Sequence, residues 1–330
     1  MNFWEKLPKP FFVLAPLANV TDASFRRIIA TYGKPDVLWT EFVSADGLAL
    51  ATQEGRAKLM HDLVFDETER PIVAQFFTSN PKTMESAAQL AARLGFDGID
   101  INMGCPDKSI ERQGAGAKLI LNPALARELV LAAKNGAPHL PVSVKTRLGY
   151  NKDILDEWLP EMLKVKPAAV TIHARTRKEM SKVPARWERV ARAVEIRNEM
   201  NSKTLIIGNG DVKDMDDAHL KVAESGADGA MLGRAIFGNP WLFSQDRMKN
   251  PAQKSSDPVT QRLIVAIEHA KLFEELLGDV KNFALMKKHF KAYVEGFPGA
   301  KELRVSLMET TNAQEVEKLI RDFLHVSYTE

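Results

Sequence analysis

The feature that most constrains this chain is a repeated pattern rather than a repeated sequence. Eight times, a short run rich in Val, Ile, Leu or Phe gives way to small or polar residues and then to a stretch of helical period. The runs fall at 11–15, 37–40, 72–76, 98–101, 142–145, 169–172, 205–207 and 230–232. None alternates strictly between apolar and polar, so each reads as a strand buried on both faces. Between them, 22–32, 81–94, 123–134, 187–200 and 215–225 read as helices. Asn80-Pro81 and Asn122-Pro123 look like an N-cap followed by Pro at the first helical position. Gly95 and Gly226 stand where a left-handed helix cap is expected.

Eight strand–helix units in roughly 240 residues point to an α/β chain folded as a (β/α)₈ TIM barrel. A doubly wound open sheet gives a similar alternation. However, the glycine-rich dinucleotide turn expected after its first strand is replaced by Ala15-Pro16-Leu17-Ala18. Around 250–258 the composition shifts to Asn, Pro, Gln, Lys and Ser, which marks a boundary. Past it, 259–277, 282–295, 301–309 and 313–324 read as helices with periodic apolar positions. The expected division is therefore a catalytic barrel over 1–250 and a small C-terminal helical bundle over 251–330.

Charge excludes some classes of function. With 45 Lys and Arg against 43 Asp and Glu, the body is nearly neutral, so a nucleic-acid site has to be a local patch. One such stretch, 175–192, holds seven basic residues against Glu179 and Glu188. Another holds Lys281, Lys287, Lys288 and Lys291, of which Lys281, Lys288 and Lys291 share a helical face by spacing. Each stretch taken singly fits a solvated helix face. Cys105 is the only cysteine, which rules out an intrachain disulfide and fits a reducing cytoplasm. The first residues lack the layout of a secretory signal, and no apolar run is long enough to span a bilayer, so no membrane partner is expected.

In a barrel, chemistry gathers where strands end. Here those ends carry Pro16, Glu41, Gln75, Asn102 with Cys105, Lys145 with Arg147, His173 with Arg175, Asn209-Gly210-Asp211, and Gly233-Arg234. The glycines at 208, 210 and 233 lie in the last two loops, where backbone N–H groups often hold a phosphate and Arg234 adds a guanidinium. They are also ordinary turn residues. Lys145, inside a buried-strand pattern, needs an anion or loses its charge. It fits a Schiff-base lysine, a cation beside an electron-rich cofactor, or an ion pair with Glu41 or Asp100. His173 reads equally as a buried hydrogen-bonding group or as part of a site. Cys105, in a Gly104-Cys105-Pro106 turn, fits a general acid, a nucleophile or a small buried side chain. The histidines are scattered and Cys105 has no partner, so no metal site is expected.

These motifs together resemble the tRNA-dihydrouridine synthase family, from about residue 11 to 324. The resemblance is carried by Ala15-Pro16-Leu17-Ala18-Asn19-Val20-Thr21-Asp22, by Asp100-Ile101-Asn102-Met103-Gly104-Cys105-Pro106 and by Gly114-Ala115-Gly116-Ala117. It continues through Val144-Lys145-Thr146-Arg147, Ile172-His173-Ala174-Arg175-Thr176-Arg177, Gly208-Asn209-Gly210-Asp211 and Met231-Leu232-Gly233-Arg234. The resemblance implies an FMN-dependent oxidoreductase, reduced by NADPH, that converts specific uridines of tRNA to 5,6-dihydrouridine. It implies that Pro16, Leu17, Ala18 and Gln75 meet the flavin ring, with Lys145 at its N1/O2 edge. His173, Asn209, Gly210, Asp211, Gly233 and Arg234 are implied to hold the ribityl phosphate. Cys105 is implied to protonate uracil C5 while hydride reaches C6. Asn102 and Arg177 are implied to touch the base, and Lys287, Lys288 and Lys291 to grip the tRNA. A monomer in the cytoplasm is expected.

After Arg177 the chain departs from the family pattern: Met180-Ser181-Lys182-Val183-Pro184-Ala185-Arg186-Trp187 stands where the family often has a Tyr and a Gly before the Trp. Three other readings share parts of the pattern. One is an FMN barrel similar to the dihydroorotate dehydrogenases, acting on a free pyrimidine; the appended helices and basic patches argue against it. Another is a tRNA-binding protein without catalysis, against which Cys105 and Lys145 speak. The third is a flavin-free aldolase using Lys145 as a Schiff base.

Overall fold

The computed structural model describes residues 2–244 and 257–327. Eight parallel strands form one sheet: β1 Phe11–Leu14, β2 Leu38–Ser44, β3 Ile72–Phe77, β4 Gly98–Met103, β5 Val142–Arg147, β6 Ala169–His173, β7 Leu205–Asn209 and β8 Gly229–Leu232. Their order is β1-β8-β7-β6-β5-β4-β3-β2, and a parallel bridge from Val13 to Val37 joins the remaining edges. The sheet thus closes into the expected barrel. Most strands run past their apolar runs. β4 includes Asn102, β5 includes Arg147, β6 includes His173 and β7 includes Asn209. Polar side chains near the ends interrupt the hydrophobic pattern, yet the backbone ladder continues, because parallel pairing uses the main chain.

The helices begin where the sequence marks them. The side chains of Asn80, Asn122 and Asp214 accept backbone N–H groups at the starts of Pro81–Leu94, Pro123–Gly136 and Met215–Ser225. Each such cap is worth about 1 kcal/mol. Gly95 and Gly226 close two helices at φ 81° and 68°, the left-handed geometry that glycine adopts without strain. Phe11, Val13, Trp39, Val73, Ile207 and Met231 belong to one buried apolar cluster. Trp4 joins it from a short turn of helix at Phe3–Lys6, packing on Phe11 and Trp39.

Contacts divide the chain into two compact units. The first comprises Met1–Leu17, Asp36–Phe65 and Arg70–Gly233; the second comprises Ala18–Pro35, Asp66–Glu69 and Arg234–Glu330. The division thus falls after Gly233, and the second unit also takes the helix Ala23–Tyr32. Of the boundary segment 250–258, residues 250–256 lie outside the described residues; Asp257 caps the helix Pro258–Leu277. That helix packs with Lys287–Tyr293, Ala300–Leu307 and Ala313–Ser327 around Phe273, Phe290, Leu307 and Ile320. The same unit buries an Arg26–Glu69 ion pair at 2.7 Å. Lys281 lies in the bend before a short turn of helix at Phe283–Met286, so it does not share the helical face of Lys288 and Lys291.

Candidate active site

Register brings the polar strand residues of the first unit side by side. Gln75 pairs with Asp100 across β3 and β4, Asn102 with Lys145 across β4 and β5, and His173 with Asn209 across β6 and β7. Gln75 and Asp100 are fully buried, so their polar groups must satisfy one another. Gln75 Nε2 donates to Asp100 Oδ2 at 2.6 Å, and Ser143 Oγ donates to Asp100 Oδ1 at 2.6 Å. Gln75 Oε1 then accepts from Asn102 Nδ2 at 3.1 Å. Asn102 Oδ1 in turn accepts from the backbone N–H groups of Gly104 (3.1 Å) and Cys105 (2.9 Å). An ionised carboxylate only accepts, so Asp100 fixes which way both amides point. The end of this chain of bonds holds the turn that presents Cys105.

Cys105 is a half-buried free thiol. Burial pushes its pKa up from the ordinary value, and the Asp107 and Glu111 carboxylates push the same way. The Asp107 backbone N–H and the Arg147 guanidinium pull it down by less. The net result is a thiol that keeps its proton at neutral pH, as a general acid requires. Lys145 lies within the electrostatic reach of Cys105 and pairs in register with Asn102, and a Cβ at Gly104 would stand 3.4 Å from the Thr146 backbone and 3.5 Å from the Lys145 carbonyl oxygen. Thiol and ammonium therefore belong to the same end of the barrel. Lys145 Nζ donates to Asn209 Oδ1 at 3.1 Å, while Asn209 Nδ2 donates to the Met231 carbonyl at 2.8 Å. The Lys145 pKa is lowered to about 8, chiefly by burial and then by the Arg147 charge, with Asp100 and Cys105 opposing both. Asp100 itself is raised to about 6 by burial, against the pull of its hydrogen bonds and of Lys145.

The loops after β6 and β7 lock together. Arg175 pairs with Asp211, and its Nη1 lies 3.2 Å from His173 Nε2. Asp211 Oδ2 also accepts from the Ala185 N–H at 2.9 Å. Gly208 lets the Trp187 ring lie against the strand, because a Cβ there would stand 2.3 Å from it. Trp187 Nε1 donates to the Gly210 carbonyl at 2.8 Å. Gly210, at φ 123°, adopts backbone closed to most side chains.

Gln75, Asn102, Cys105, Lys145, His173, Asn209, Gly210 and Asp211 thus lie on adjoining strands and loops. Pro16 and Leu17 follow β1, whose continuation at Ala15 donates its N–H to the Leu232 carbonyl at 2.7 Å, just before Gly233. Ala18 and Arg234 fall one residue inside the second unit. Arg177 is not a free cation: Glu111 grips Nε at 2.6 Å and also Nη2, and the guanidinium lies 5.1 Å from the centre of the Tyr150 ring. Nothing in the sequence singled out Glu111 or Tyr150. The basic stretch 175–192 is largely neutralised. Arg186, Arg189 and Arg192 pair with Asp153, Asp156, Glu179, Glu195 and Glu199, which leaves Lys178 and Lys182 as its exposed cations. Among the described residues, Lys287, Lys288 and Lys291 form no ion pair, and no three His, Cys, Asp or Glu side chains cluster as a metal site.

The profile of the Dihydrouridine synthase (Dus) family matches residues 13–327. A Bacillus subtilis (strain 168) protein named "Probable tRNA-dihydrouridine synthase 2" is 41% identical over 324 residues, covering 98% of this chain and 96% of that one. A Staphylococcus aureus (strain COL) protein named "Probable tRNA-dihydrouridine synthase" is 40% identical over 325 residues, covering 98% and 95%. Among solved structures, morphinone reductase superposes with a TM-score of 0.52 at 14% identity, over 74% of this chain and 87% of its own. A 2-naphthoyl-CoA reductase complex gives 0.54 at 11% identity, over 73% and 50%. At such identities these two speak for the barrel fold alone. The family match and the full-length relatives go further: the chain belongs to the dihydrouridine synthase family.

Proposed function

We propose that this protein reduces the C5–C6 double bond of specific uridines in tRNA to 5,6-dihydrouridine, with FMN as resident cofactor and NADPH as reductant, as a monomer in the cytoplasm. The observation that carries this reading is a half-buried thiol on a turn fixed by Asn102, its pKa pushed up by burial, at the same strand ends as a partly buried Lys145 and the glycine loops. Catalysis is assigned to the barrel over 1–250 and tRNA binding to the helical segment over 251–330.

The residues present fit a flavin mononucleotide. Lys145 offers a cation of lowered pKa to the electron-rich edge of the ring. Gln75 has one Nε2–H beyond the bond to Asp100, and Pro16, Leu17 and Ala18 supply a wall without acidic groups. His173, Asn209, Gly210, Asp211, Gly233 and Arg234 suit the phosphate end, where Gly233 would admit a Cβ with only Ala15 near it, at 3.7 Å. Bound FMN supplies the hydride that reaches uracil C6.

The chain's own residues do the rest. Cys105 Sγ–H gives its proton to C5, and the resulting thiolate is met by the positive charges of Arg147 and Lys145. Asn102 keeps one Nδ2–H for the base after bonding Gln75. Arg177 keeps Nη1 for it, preset by Glu111 and Tyr150. Lys287, Lys288 and Lys291 neutralise phosphates on a tRNA whose uridine has to be turned out of its stack, at a cost of a few kcal/mol.

The test is to map dihydrouridine in tRNA from cells lacking this protein. The expected result is loss at defined positions, restored by the wild-type chain and not by Cys105→Ala. Unchanged dihydrouridine overturns the assignment, as does turnover of free uracil or orotate in preference to tRNA.

A further inference from the structure

Arg147 stands two residues past Lys145 at the end of β5 and is 8% exposed. Among the described residues no carboxylate pairs with its guanidinium; three backbone carbonyls take it. Its Nε donates to the Gly104 carbonyl at 2.7 Å, and its Nη1 donates to the carbonyls of Thr176 (3.2 Å) and Met180 (3.3 Å). Gly104 immediately precedes Cys105. Thr176 and Met180 bracket Arg177 in the loop after β6, and Met180 sits at φ 57°, a left-handed conformation uncommon for such a side chain. The Cys105 turn is thus held on both sides: Asn102 takes its N–H groups and Arg147 takes the carbonyl before it. A planar guanidinium can span carbonyls on two loops at fixed angles, whereas an ammonium on a flexible stem cannot.

We propose that Arg147 is a positioning residue for the acid of this reaction, aiming the Cys105 thiol and tying its turn to the loop that carries Arg177. The proposal rests on the reading of Cys105 as proton donor. Arg147 acts on the thiol in two separable ways. Its hydrogen bonds set where Sγ lies, and its charge offsets part of the upward push from burial, Asp107 and Glu111, with Lys145 as the other nearby cation.

Two variants separate these roles. Arg147→Met removes both charge and hydrogen bonds; Arg147→Lys keeps the charge and loses the planar fan. Cys105 is the only cysteine, so the pH profile of its alkylation by iodoacetamide reads this one thiol directly. The profile is expected to move to higher pH in Arg147→Met and to stay in place in Arg147→Lys. In a single turnover of the NADPH-reduced holoprotein with unmodified tRNA, Arg147→Lys is expected to reduce uridine more slowly, on the order of 10²-fold for a displacement near 1 Å. If Arg147→Met does not fold, Arg147→Lys carries the test. Wild-type uridine reduction by Arg147→Lys overturns the positioning role, and an unmoved alkylation profile in Arg147→Met overturns the electrostatic one. Failure of the underlying reading looks different: Cys105→Ala reduces uridine normally, whatever the alkylation profiles show.

Discussion

Replacing Asp100 by Asn separates what this carboxylate does for the site from what it does to the fold. Asp100 is fully buried, and its pKa is raised from 3.8 to about 6. A shift of roughly two units corresponds to about 3 kcal/mol. The folded pKa lies above the unfolded one, so the native state holds the extra proton between them. The contribution to stability is therefore fully present below about 4 and is lost as pH rises through about 6. An amide at this position does not titrate and has no such dependence. The stability of Asp100→Asn relative to wild type is thus expected to rise by about 3 kcal/mol from pH 4 to pH 7, whatever constant penalty the lost hydrogen bonds impose. Urea unfolding of both proteins across that range reads the difference. Activity should move the opposite way. Without an obligate acceptor at position 100 the Gln75 and Asn102 amides are free to turn over, and the Cys105 turn loses its fixed acceptor. Lys145 also loses the anion that supports its charge. A stability difference that stays flat with pH, or full uridine reduction by Asp100→Asn, would refute this reasoning.

Gly208→Ala sets a methyl 2.3 Å from the Trp187 ring and is expected to destabilise the barrel by about 1–3 kcal/mol. By pulling Trp187 from the Gly210 carbonyl it should also weaken flavin affinity, read by fluorescence titration. Because burial and the Arg147 charge lower the Lys145 pKa to about 8, flavin affinity should fall as pH rises past that value; in Lys145→Met it should be flat there. In the helical unit, Arg26→Met strands the buried Glu69 carboxylate and should cost about 3–5 kcal/mol in chemical unfolding. The double change Arg26→Met/Glu69→Met should recover most of that loss.

The barrel was legible because its strands are buried on both faces and its helices carry strong caps. Asn80, Asn122, Gly95 and Gly226 all act as their sequence contexts suggested. Strand ends were read short for a physical reason. Asn102, Arg147, His173 and Asn209 are polar residues at strand ends, and that polarity hid their membership of the ladder. Site residues carried on motifs were legible one by one, but their connections were not. Nothing in the sequence says that Asp100 orients Gln75, or that Arg147 spends its donors on carbonyls. How far the stretch 175–192 is neutralised does not show in its own charges, since the acidic partners of Arg186, Arg189 and Arg192 include Asp153 and Asp156, more than 30 residues away in the chain.

The account turns on whether one side chain delivers the proton to the substrate, and an anaerobic single-turnover experiment isolates that event. The holoprotein is first reduced by NADPH, then mixed with unmodified tRNA, and flavin reoxidation is followed alongside dihydrouridine formation. Cys105→Ala is expected to accept electrons from NADPH at the wild-type rate, yet to pass them to uridine about 10² to 10⁴-fold more slowly. Equal rates for both proteins in the second step would contradict the account.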